Sequence, residues 1–339
     1  MIRTSIRGIS TCIGRPPRHR GGAAGPSSHA RAALARLMAA PAVGVNTAAW
    51  TRRYPRLARM ARRRGSCVAW PAGFLAPLFL AGCAAAPLER ATTLRSYEGL
   101  AEANGLVTQS RLRIDEAAIQ AAKTVQIVPT SFGVGTVRVP LNAVQRRLVA
   151  NAVDRALCAG LSERFRVVGP AQPADLTVRA VVTHVTPTDT LAVGASRGAA
   201  IAKMVLLPGV PVPVPRIPVG MGTLSLEAEA LDLAGNQKAA MIWARGATMI
   251  GSGRMAVEGD AYTLASEFGH DFSRLLTTGK SPFGQWPSLP TAHQISTSLG
   301  GATASRACEA FGRNPGLAGF MGGELGMPPS WTDKGAAVP

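Results

Sequence analysis

Acidic residues are absent from the start of this chain. No Asp or Glu occurs before Glu89, while residues 1–82 carry 14 arginines. Aromatics are scarce too, at 5% of 339 residues, whereas Ala, Gly and Pro abound. The length allows one or two domains, and this composition leaves room for one core with part of the chain outside it. Clustered metal ligands are missing: Cys12, Cys67, Cys83, Cys158 and Cys308 form no C-x-x-C pair and no Cys/His group at ligand spacing. No two carboxylates stand at a spacing that points to general acid–base work. No metal and no cofactor are expected.

The formal net charge of +18, taken alone, is that of a nucleic-acid binder, because basic patches neutralise phosphates and release counterions. Its distribution argues otherwise. From Cys83 onward 23 basic residues meet 19 acidic ones, an ordinary balance for a soluble domain. The excess belongs to the N-terminal segment, and no nucleic-acid partner is expected.

Residues 1–59 show no sustained helical or strand period, and their composition buries too little apolar surface to offset the entropy of ordering. Three readings stand side by side: translation that begins at Met60, a disordered basic arm, or an Arg-rich, acid-free transit peptide. From Met60 a signal follows in order. Met60-Ala61-Arg62-Arg63-Arg64 is a positive n-region, and Val68 to Leu80 is an apolar stretch of the length a secretory signal uses. Leu80-Ala81-Gly82-Cys83 closes it, so residues 60–82 read as a signal peptide.

Those last four residues resemble the lipobox of bacterial lipoproteins. The resemblance implies diacylglycerol on the Cys83 thiol, cleavage between Gly82 and Cys83, and acylation of the new amino terminus, with palmitate among the acyl chains. One acyl chain holds only marginally at about 0.8 kcal/mol per buried methylene, whereas two or more anchor stably. Ala84, rather than Asp, follows the cysteine, and the family's sorting rule then implies the outer membrane. The alternative is a membrane-spanning anchor continuing to Leu88, close to the roughly 20 residues a span needs. Pro71, Pro77 and Pro87 count against a regular helix there. Either way, residues beyond 90 are expected outside the cytoplasm.

Residues 83–110 read as a tether, 111–280 as an α+β domain, and 281–339 as a mostly disordered tail rich in Gly, Pro and Ser. Short strands are expected at Thr124–Pro129 and Arg164–Gly169, and an alternating one at Asp175–Pro187. Asn142 and Gln145 form a capping box opening a helix to about Glu163. Its apolar stripe holds Val144, Leu148, Val149, Ala152, Ala156 and Leu157, with Asp154 and Arg155 off it. Thr223–Leu233 and Lys238–Thr248 form a hairpin around Ala234-Gly235-Asn236. There Leu224, Leu226, Ala228 and Ala230 face one way and Ser225, Glu227 and Glu229 the other. Asp260–Thr278 is a closing helix stopped by Gly279. The expected architecture is one largely antiparallel sheet of about four to five strands, with two helices packed on one face.

The quoted pieces "LAGC", "KTVQIVP", "LCAGLSERFRVV", "ADLTVRAVVTHVTPT" and "LSLEAEALDLAGNQKAAMIWARG", with an apolar insertion among them, are together similar to a family of bacterial lipoproteins filed as domain of unknown function 3313. The likeness spans about residues 80–280 and implies no activity.

Chemistry is weakly marked. Gly194-Ala195-Ser196-Arg197-Gly198 fits G-x-S-x-G, the strand-to-helix nucleophile elbow, and Asp232 or Asp260 with His270 or His293 would complete a triad. Too few strands precede Ser196 for that fold. Gly133-Val134-Gly135 reads as a loop rather than a phosphate turn, and His184 and His270 read as structural and solvated residues. Cys158 and Cys308 are candidates for a disulfide in an oxidising compartment. The insertion at 188–221, apolar and Pro-rich, has three open roles: a surface lying on a membrane, a plug for a partner's groove, or a flap over the protein's own sheet. The expected function is a lipid-anchored envelope protein whose domain binds or supports. Its partners would be a membrane, through the N-terminal lipid, and an envelope protein. A serine hydrolase at Ser196 and an accessory subunit of an envelope complex are the alternatives.

Overall fold

Thr108, Ser110 and Leu112 turn inward while Gln109, Arg111 and Arg113 are more exposed, so the segment after the expected tether alternates as a strand does. The computed structural model describes residues 86–88, 90–133, 140–206, 215–249, 253–284, 295–297, 299–301, 305–333 and 335. All lie in one compact unit, Ala72–Pro339, and a second unit, Met1–Pro71, falls outside them. The N-terminal segment 1–59, the signal at 60–82 and Cys83 therefore lie outside the described residues.

The elements run β1 (Ala101–Glu102), β2 (Thr108–Ile114), α1 (Glu116–Ala121), β3 (Thr124–Ile127), β4 (Ser131–Phe132), α2 (Ala143–Leu161), β5 (Arg166–Val168), β6 (Leu176–Thr186), α3 (Thr190–Leu206), β7 (Thr223–Leu231), β8 (Gln237–Gly246) and α4 (Gly259–Thr278). After α4 come a 3-10 helix (Arg306–Phe311), α5 (Gly316–Glu324) and α6 (Pro329–Thr332). The strands make one sheet in the order β1-β2-β8-β7-β6-β3-β5, with β4 beside β6. Pairing is antiparallel from β1 to β6, but β3 runs parallel to both β5 and β6, and β4 parallel to β6.

The architecture is α+β, but the sheet has eight strands where four to five were expected, and its β3–β6 side is parallel. The three extra strands are β1, β2 and β4. β1 and β4 have two residues each, too short to show a period. β2 hides its alternation because its inward residues include Thr108 and Ser110.

The expected capping box opens α2: Gln145 N donates to Asn142 Oδ1 at 3.0 Å, and Asn142 N to Gln145 Oε1 at 2.9 Å. α2 and α4 share one face of the sheet, where Val149, Val153 and Leu157 join Leu264, Phe268 and Phe272 above Val178, Leu226 and Trp243. The two helices touch closely at glycines. A Cβ on Gly269 would stand 2.5 Å from Ala156 Cβ, so only a bare backbone fits there.

Sequence periodicity placed Val144 on the buried stripe of α2 and Asp154 and Arg155 off it. Val144 is exposed and both charges are buried. They are covered by distant chain: Thr130 N and Oγ1 donate to Asp154, and Arg155 pairs with Asp333.

The segment after α4, expected to lack order, carries the 3-10 helix, α5 and α6, and Cys308 is bonded to Cys158 with their Cα atoms 5.7 Å apart. Much of the expected tether is folded too, for β1 and the start of β2 lie within it. Leu88, Leu94, Tyr97 and Leu100 cover Ala240 and Ile242 on the sheet face opposite the helices. The insertion contributes α3, and residues 207–214 of it lie outside the described residues. Among the described residues no helix is long and apolar enough to cross a membrane.

Candidate functional site

β7 sends Ser225, Glu227 and Glu229 to the face away from the helices, a side that period alone reads as solvated. Both glutamates are fully buried. The cause is a strap, residues 87–88 and 90–97, laid along the strand. Glu227 Oε1 accepts from Ala91 N at 2.8 Å. Glu227 Oε2 accepts from Thr93 N at 3.1 Å, Thr93 Oγ1 at 2.5 Å and Tyr97 OH at 2.6 Å. Glu229 Oε2 accepts from Arg95 N at 2.8 Å and Gln237 Nε2 at 2.6 Å, and Glu229 Oε1 is paired with Arg179. Arg179 also donates to Thr93 O at 3.2 Å. At the strand's start Ser225 Oγ donates to Pro87 O at 2.8 Å.

A buried carboxylate is costly unless its lone pairs are filled, and here each oxygen has charge-assisted donors. Burial, followed by the hydrogen bond to Glu227, pushes the Tyr97 phenol up to about 12, so it remains a donor throughout the ordinary pH range. The sequence signal was the pair of acids two positions apart in "LSLEAEAL". Nothing local told that another segment would cover them.

A cavity of about 370 Å³ opens on the other side, between α2, α4 and the chain around α5. Much of its wall is Ala and Gly, including Ala152, Ala156, Gly316 and Gly319. Its polar groups are largely engaged. Tyr262 OH donates to Asp333 Oδ2 at 2.7 Å, Arg155 pairs with the same carboxylate, and Arg254 lies 5.3 Å from the Tyr262 ring centroid while donating to Gly319 O at 2.9 Å. Burial raises the Glu267 carboxyl above its ordinary value against the opposing pull of Arg245, 3.1 Å away. Partial desolvation in the cavity wall lowers the His270 imidazole below its usual value, although the residue keeps an exposed edge. A mainly apolar recess with a few fixed polar groups is the form of a small-molecule site, and it suits an apolar or weakly polar guest. Period placed Arg155 off the buried stripe and left Tyr262 unremarked, because the segment that buries them follows more than 70 positions later.

The expected site residues do not converge. Gly82 and Cys83 lie outside the described residues, as does His293. Ser196 is in mid-helix, not on a strand-to-helix turn: its Oγ donates to Ala192 O at 2.8 Å and accepts from Ile217 N at 3.0 Å. Asp260 is held by Arg216 at 2.8 Å, Asp232 sits in the β7–β8 turn bonded to Asn236, and His270 faces the cavity. Among the described residues no elbow and no triad results. His184 Nε2 is 3.2 Å from Thr186 Oγ1, a local contact. Gly133 follows β4, and Val134 and Gly135 are outside the described residues. Among the described residues no group of three or more His, Cys, Asp or Glu is placed to hold a metal.

The model of a family described as "Protein of unknown function (DUF3313)" matches residues 89–272. No curated protein matches the chain. Among solved structures, the PelC dodecamer from Paraburkholderia phytofirmans is similar over 50% of this chain and 97% of its own, at 11% identity and a TM-score of 0.31. A leucine-to-methionine variant of that dodecamer matches over 48% and 95%, at 11% identity and a TM-score of 0.28. Likeness at these scores is too slight to bear on fold or function.

Proposed function

The chain belongs to the family of proteins of unknown function DUF3313, and on that footing we propose that it is a lipid-anchored protein of the bacterial envelope. Its domain faces the periplasm and serves as a binding or structural module. The observation that carries this reading is a junction. Leu80-Ala81-Gly82-Cys83 stands immediately before the strap, and only four positions separate Cys83 from Pro87, where Ser225 first holds the chain. An acyl group on Cys83 would thus be joined to folded protein by at most ~14 Å of chain.

Two further features support it. The bond between Cys158 and Cys308 suits an oxidising compartment outside the cytoplasm. The apolar cavity suits binding rather than catalysis, because its charged groups are spent on holding the fold.

The test is metabolic labelling with a palmitate analogue in a bacterial host that processes lipoproteins. The wild-type chain is expected to carry label in the membrane fraction and Cys83→Ala to carry none. Label that persists in Cys83→Ala, or unlabelled wild-type protein free in the cytosol, overturns the proposal.

A further inference from the structure

Helix α3 is built inside out for a surface in water. On a helical wheel at 100° per residue, its exposed residues beyond the first position, Thr190, are Leu191, Ala195, Gly198, Ala199, Ile201, Ala202, Val205 and Leu206, and these fall within an arc of about 160°. No side chain in that arc can carry charge or donate a hydrogen bond. Leu191 is 83% exposed, Ile201 59%, Val205 69% and Leu206 75%. Ser196, Arg197 and Lys203 lie on the opposite arc, Ser196 buried and the two basic residues half-buried. Ser196 meets Ile217 N at 3.0 Å, and Arg197 donates to the carbonyls of Gly253 and Gly323, each at 3.1 Å, and to Glu324 O. A water-facing helix has the reverse pattern. Beside it, at the end of α5 where Arg197 docks, Met321 and Leu325 are also exposed.

The strap says which surface this face meets. Its contacts descend β7 in order: Arg95 at Glu229, Thr93 and Ala91 at Glu227, Pro87 at Ser225. By Pro87 the strap has therefore reached the Thr223 end of the sheet. That is the end where α3 sits, since Thr186 pairs with Thr223 and Asp189 N donates to Gly220 O at 2.8 Å. The four-residue leash keeps Cys83 within ~14 Å of Pro87. An acyl chain there brings the bilayer to the α3 end, not to the hairpin turn at the far end of β7.

We infer that the exposed apolar face of α3 lies in the lipid surface, as a second, non-covalent contact that orients the domain on the membrane. An interfacial helix of this kind sinks ~5–10 Å into the headgroup boundary. The inference rests on the acylation of Cys83 proposed above.

The test uses the full processed protein, its acylation verified by mass, reconstituted in phosphatidylcholine vesicles with brominated acyl chains. A bimane fluorophore is placed on Ala202→Cys, on Ala195→Cys as a second position should the first misfold, and on Ala234→Cys at the far hairpin turn. The expected result is several-fold quenching on α3 and none at Ala234→Cys. Acylated protein whose α3 probe stays bright overturns the inference and leaves the lipid anchor standing. So does cross-linking of two copies through Ala202→Cys without quenching, which makes the face a contact between copies. Protein with no acyl group takes the anchor and this inference down together.

Discussion

Tyr97 and Glu227, separated by 130 positions, share a hydrogen bond of 2.6 Å on the sheet face away from the helices. A donor to a buried carboxylate contributes about 1.5–3 kcal/mol. Tyr97→Phe removes that donor and leaves the ring in place against Ala240 and Ile242. The expected outcome is a loss of stability in that range by urea denaturation, with faster proteolytic cutting among residues 88–98. An unchanged midpoint and unchanged cutting would show that the strap is held by its other contacts alone.

Asp154 sets a pH dependence. Burial pushes its carboxyl up to about 7, against the lowering effect of the Thr130 bonds and Arg155. In the unfolded chain the same group titrates near ~3.9. Between those values the folded state holds the extra proton, so the contribution of Asp154 is fully present below about pH 4 and lost as the pH rises through about 7. Asp154→Asn stays neutral throughout and loses the slope. The difference between the two proteins should approach ~1.4 kcal/mol per pH unit in that window, read from denaturation midpoints across pH. Parallel curves for the two proteins would refute it.

Elements that declare themselves within one turn or one strand were legible in the sequence. The Asn142–Gln145 cap starts α2, the hairpin strands β7 and β8 fall where alternation put them, and Gly279, at φ +71°, stops α4. What was illegible depends on chain that arrives from far away. Glu227 and Glu229 alternate like a wet face and are dry because the strap covers them. Arg155 sits on the polar side of α2 and is buried because Asp333 lies over it. The helical period of α3 was masked in the sequence by the Gly- and Pro-rich context around it. Once formed, that helix shows its apolar side outward, a preference that a hydropathy pattern cannot assign to either face.

Removing the bond between Cys158 and Cys308 acts on the unfolded chain. It spans 150 positions, and a cross-link over a long loop contributes about 2–4 kcal/mol, chiefly by restricting the unfolded ensemble. The pair Cys158→Ser and Cys308→Ser is expected to lower stability by that amount in calorimetry or denaturant titration. Both residues are buried, Cys158 completely and Cys308 at 2% exposure. A reductant should therefore open the bond quickly only where denaturant has already unfolded the domain. Fast reduction of the native protein, followed by thiol labelling without denaturant, would contradict the placement of Cys308 in the core.

Asp333 locks the wall of the cavity. Its carboxylate receives both Arg155 and Tyr262 OH, all three buried, and so fastens the chain beyond α5 to the two long helices. Breaking a buried ion pair from one side leaves an uncompensated charge and costs about 3–5 kcal/mol when the structure cannot relax. The expected relaxation is a lifting of the four-residue helix α6, which would let water reach Arg155. Asp333→Ala is thus expected to lose less than that range globally while freeing the segment. Amide exchange should rise many-fold in 316–333 and stay at wild-type levels in β6, β7 and β8. The guest space should change with it: an environment-sensitive apolar dye that enters the cavity slowly in the wild type should enter faster in Asp333→Ala. Equal exchange in 316–333 for both proteins would mean that Arg254, through Gly319 O, is what holds the segment down.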